Sequence, residues 1–110
     1  MDEVGLKDFT LADVSRFAIA SVMGQPSKTI KVAEQPRYYL VSYTRKSDSQ
    51  KFEYKIKFED QNIIWAPLDG RWRDSHLDEK ITYSESNKKI KIKQTFSDGS
   101  SGFKEYLKGD

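Results

Sequence analysis

Between residues 51 and 58, Lys51, Glu53, Lys55 and Lys57 alternate strictly with Phe52, Tyr54, Ile56 and Phe58. A period of two puts successive side chains on opposite faces of an extended chain, so this stretch makes a strand with one charged face and one apolar face. The same logic returns between 88 and 96, where Lys89, Lys91 and Lys93 alternate with Ile90 and Ile92 until Gln94 interrupts the apolar series. Two such strands commit the chain to an antiparallel sheet, covered on one side and lysine-rich on the other.

The rest of the chain extends that plan. Thr10 is placed as a helix N-cap, with Asp13 three residues on as a variant of the capping box and Phe9 set to staple against Val14. Leu11, Val14, Phe17, Ala18, Val22 and Met23 recur at three- and four-residue spacing, which predicts one amphipathic helix over about 10–24. Gly24 suits a left-handed C-terminal position, and Pro26 prevents continuation. Short β-prone runs follow at 29–34, 37–45, 51–58, 63–66, 80–85, 88–96 and 100–107, separated by turn residues such as Asp98-Gly99.

The fold class expected is therefore α+β, with one N-terminal helix packed on a curved antiparallel meander of about seven strands. Residues 1–9 form an extension, and 10–110 a single domain. The meander either closes into a small barrel or stays an open curved sheet. The breadth of the helix's apolar stripe favours the open sheet.

Only 36% of the 110 residues are hydrophobic but 13% are aromatic, so rings must supply much of the core. The net charge of +2 is too small by itself to compel a polyanionic partner. Its distribution is uneven, because Asp2, Glu3, Asp8 and Asp13 outweigh Lys7 and Arg16 in the first 27 residues. The absence of cysteine excludes disulfides, thiol nucleophiles and cysteine-ligated metals. No apolar run approaches the ~20 residues of a transmembrane helix. The chain opens without a basic or apolar leader, so the expected location is cytoplasmic, or that of an exported protein in its mature form.

Two clusters stand out as binding candidates. The connection at 69–79 gathers Arg71, Trp72, Arg73, Asp74, His76, Asp78 and Glu79. Arginine forks with a tryptophan between them are a common composition at protein interfaces, and this loop makes another protein the first expected partner. The bland alternative folds Trp72 inward as core and pairs the arginines with neighbouring carboxylates. Asp74, His76 and Asp78 at i, i+2, i+4 could ligate a divalent ion, but one histidine without cysteine makes a weak set, and no metal or cofactor is expected.

The second cluster is the basic face of Lys55, Lys57, Lys89, Lys91 and Lys93, a candidate for nucleic acid if the two strands expose one surface. Against it, the aromatics of 51–58 alternate to the opposite face, where no base could stack on them. A third reading is a closed barrel that carries a small ligand among Tyr39, Tyr43, Phe52, Tyr54 and Phe58. No nucleophile elbow or phosphate-binding glycine motif is present, so catalysis is not expected.

Overall fold

The structure is a computed structural model and describes residues 6–73 and 78–110. Helix α1 spans Leu11–Met23. Its capping box is complete, with Thr10 Oγ1 accepting the Asp13 N–H at 3.1 Å and the Asp13 carboxylate accepting the Thr10 N–H at 3.0 Å. At the other end Gly24 adopts φ 66°, where any Cβ would be strained, and stops the helix.

Seven strands follow: β1 Lys31–Glu34, β2 Tyr39–Thr44, β3 Lys51–Glu59, β4 Asn62–Pro67, β5 Lys80–Ser86, β6 Lys89–Thr95 and β7 Ser101–Leu107. They lie side by side in chain order, each antiparallel to the next, with β1 and β7 at the ends of the order. The sheet curls into a half-barrel around α1. The helix bridges the mouth of the curl, touching β1 and β2 on one arm and β6 on the other. On β7, Tyr106 stacks on Phe17 with ring centroids 4.5 Å apart.

Being held between two arms explains why the helix buries more than its predicted stripe. Val14, Phe17 and Ala18 are buried as expected, but so are Ser15, Ile19 and Ala20. Ser15 satisfies its hydroxyl by donating to the Leu11 carbonyl at 2.8 Å. The segment before the helix is clasped as well. The Glu85 carboxylate accepts the N–H groups of Lys7 and Asp8 at 2.7 and 2.8 Å, Lys108 Nζ donates to the Asp8 carbonyl, and Phe9 enters the core.

Two boundaries differ from expectation for local reasons. The first strand begins at Lys31, because residues Ser27–Thr29 form a 3₁₀ turn in which Thr29 Oγ1 donates to the Pro26 carbonyl. The second begins at Tyr39, because Gln35 N–H closes a turn onto the Tyr38 carbonyl.

The concave face holds Val41, Ile56, Ile63, Ile81, Ile90 and Ile92, all buried. Beside them the rings pack on one another: Tyr43 on Phe52 at 5.2 Å, Tyr54 against Trp65 at 5.7 Å, and Phe58 between Tyr39 and Tyr83 at 5.9 and 5.7 Å. The five aromatics expected to line a ligand cavity thus pack in two ring clusters, Tyr43 with Phe52 and Tyr54 and Tyr39 with Phe58, against the isoleucine core. Burial, followed by the hydrogen bond with Tyr43, pushes the Tyr54 hydroxyl up to about 12. Gln94, which breaks the alternation of β6, has a structural task on this side. Its amide donates to Glu79 at 2.6 Å and accepts from Ser21 of the helix at 3.3 Å.

Candidate binding face

Strand β4 reads Ile63-Ile64-Trp65-Ala66, apolar on both faces. Ile63 and Trp65 point to the concave side, opposite Phe58 and Ile56. Ile64 and Ala66 therefore point to the convex side, opposite Lys57 and Lys55, yet they are 7% and 0% exposed. Their cross-strand neighbours Lys57 and Lys55 both reach Trp72 in the connection after β4.

The connection is folded back by a few backbone contacts. β4 pairs with β5 only through Asn62↔Thr82 and Ile63↔Ile81, which leaves the rest of its edge open. Leu68 N–H donates to the Glu53 carbonyl, Gly70 N–H to Pro67 at 2.8 Å, and Arg73 N–H to Trp65 at 2.9 Å. The turn is tight enough that a Cβ on Gly70 would sit 3.0 Å from Pro67 Cδ. The returning chain brings Trp72 to these lysines, with Lys55 Nζ and Lys57 Nζ each 4.7 Å from the indole centroid. The indole is half-buried, and the two ammonium groups lie where they meet the ring's negative quadrupole.

The three residues Arg71, Trp72 and Arg73 do not form one surface. Arg71 grips Asp78 through both terminal nitrogens, at 3.0 and 3.3 Å, and also donates to the Trp72 carbonyl. The Arg73 guanidinium lies 5.3 Å over Trp65. Only Trp72 joins the lysines. Asp74 and His76 lie outside the described residues, and Asp78, the third member of that trio, is engaged by Arg71. Where β4 and β5 separate, a cleft of about 280 Å³ is lined by Glu59, Asn62, Arg73, Glu79 and Lys80 against Ile63, Ile64 and Ile81.

The strand register places all five lysines of the basic cluster on the convex face. Lys93 stands opposite Thr82, which stands opposite Asn62 and so Glu59, in the row adjoining Lys57. Three strand spacings separate β3 from β6, on the order of 14 Å. Lys55 and Lys57 are thus one group, and Lys89, Lys91 and Lys93 a second. Lys80, on the same face of β5, stands between them. Lys31 and Lys51 extend the face at its β1 side.

Over the seven strands the convex positions carry eight lysines against three glutamates, Glu53, Glu59 and Glu105. That is an excess of five on one surface, in a chain whose whole net charge is +2.

The second lysine group also has an aromatic partner. Phe103 on β7 is 60% exposed, faces the convex side opposite Lys93, and lies 4.2 Å beneath Lys91 Nζ. The sequence reading missed it. Phe103, Glu105 and Leu107 alternate with Gly102, Lys104 and Tyr106, and neither set is apolar enough to mark the inner face. Only the register with Ile90 and Ile92 decides the matter.

No family model, curated protein or solved structure matches the chain. Among the described residues, no helix is long and apolar enough to cross a membrane.

Proposed function

We propose that this chain is a non-catalytic binding module whose working surface is the convex face of the sheet, completed by Trp72, and that its partner is an anionic macromolecule. The observation that carries this reading is the position of Trp72 across Lys55 and Lys57. It merges the two candidate clusters, loop and lysine face, into one surface. A lysine excess scattered over the whole molecule would serve solubility alone. Concentrated on one face, it creates a potential that attracts and orients polyanions, whether acidic protein segments or nucleic acids.

The test is a titration of the full chain with three polyanions, polyglutamate, a sulfated polysaccharide and a single-stranded oligonucleotide, at low and at physiological salt. At least one is expected to bind at low salt and to weaken steeply as salt rises. Charge reversal at Lys57 and Lys91 together is expected to remove that binding while leaving the fold intact. Failure of all three to bind at low salt contradicts the reading.

A further inference from the structure

Resting on that reading, we infer that the anionic partner is single-stranded nucleic acid, held across two lysine–aromatic units, Trp72 with Lys55 and Lys57, and Phe103 with Lys91 and Lys93. An acidic protein segment would need only the charges. The structure provides more than charges, because each lysine group has a ring on the same convex face. Phe103 is the sharper case. It is a large apolar side chain, 60% exposed, on a strand that buries little besides Tyr106. Folding gains little from it there, since most of its ring stays in water. Lys91 lies 4.2 Å from the ring centroid, and most of the ring remains open to a second planar group.

A ring flanked by ammonium groups offers a base a stacking surface while the lysines take the neighbouring phosphates. Double-stranded nucleic acid hides its base faces inside the helix and could use only the lysines. A single strand exposes both kinds of group, and its flexible backbone can follow a curved sheet. The two lysine groups stand three strand spacings apart, about 14 Å from β3 to β6, with Lys80 on the strand between and Phe103 one strand further on. An oligomer of several nucleotides is long enough to engage both, within the roughly 4–16 nucleotides that one OB fold covers. No base-specific hydrogen-bonding pattern is implied, so sequence preference should be slight.

The experiment compares three probes matched in charge: oligothymidylate, an abasic oligomer with the same number of phosphates, and polyglutamate. Affinities are read by fluorescence anisotropy of the labelled probe over a salt series. Oligothymidylate is expected to bind at least about thirtyfold more tightly than the abasic oligomer, the low end of what two stacked bases add. Its log affinity should fall with log salt by about 0.7 for each phosphate contacted.

Phe103→Ala, at an exposed site where the fold is insensitive, is expected to reduce the preference for bases over abasic sites while leaving the salt slope unchanged. Trp72→Ala should do the same, and Trp72→Phe should restore part of the preference. Equal binding of oligothymidylate, abasic oligomer and polyglutamate would overturn the nucleic-acid inference and leave the anionic-partner reading standing. Tighter binding of polyglutamate would overturn it in favour of an acidic protein. Absence of binding by all three removes both.

Discussion

On β3, Ile56 and Lys57 are chain neighbours with opposite environments. Ile56 is fully buried against the helix side, whereas Lys57 keeps its ammonium beside Trp72 on the outside. The contrast repeats on β6 between Ile92, also fully buried, and the exposed Lys93. One face of the sheet is packed by isoleucine and stacked rings, and the other by lysine with a ring laid against each group. Folding energy follows the first face, since burying an isoleucine stabilises by about 1.5–3 kcal/mol while exposed charges contribute little. The second face is therefore little constrained by folding.

The largest expected effect breaks the concave face. Ile92→Ala leaves a cavity with no access for solvent and should cost about 2–5 kcal/mol, lowering Tm by roughly 10 °C or more in a thermal melt. Trp72→Ala sharpens the comparison, because the indole belongs to both faces' concerns. The indole is half-buried, so its loss should cost about 1–2 kcal/mol, less than a fully buried ring, while the polyanion affinity falls more than for any lysine variant. Gly70→Ala should cost about 1 kcal/mol, by pressing its Cβ on Pro67, and should loosen Trp72 from the lysines. A blue-to-red shift of tryptophan emission would report it. Lys91→Gln should leave denaturant stability within about 0.5 kcal/mol, weaken binding at low salt and reduce its salt slope, with the preference for bases unchanged.

The clasp on residues 7 and 8 is sensitive to pH. Partial burial alone would raise the pKa of Glu85, but the N–H groups of Lys7 and Asp8 outweigh it and hold the carboxylate below its usual value. A depressed folded-state pKa means that the clasp contributes fully at neutral pH and is lost as pH falls through the acidic range below about 4. Glu85→Gln should flatten that part of the stability–pH curve, measured by urea melts between pH 3 and 7.

Much of the fold was legible because its determinants are local. The alternation of 51–58 gave the strand and its faces, Thr10 and Asp13 the helix start, and the turn residues the meander order. The candidate site was less legible, because Trp72 is placed by distant backbone partners, Glu53 for Leu68 and Trp65 for Arg73. One signal was available. Four consecutive apolar residues, Ile63 to Ala66, require cover on both faces of the sheet, and the connection that follows them is the nearest chain able to supply it. Phe103 could not be placed without the β6–β7 register, since a shift by one residue exchanges every inner and outer position.

The central claim is that stability and binding occupy opposite faces of one sheet. It is tested most directly by recording amide and indole N–H resonances of the full chain during titration with a single-stranded oligonucleotide at low salt. Shifts are expected at Lys55, Lys57, Lys91, Lys93 and Phe103 and at the Trp72 indole, with α1 and the concave isoleucines unmoved. Shifts centred instead on Tyr43, Phe52, Tyr54 and Trp65 would contradict it and place the binding site inside the curl.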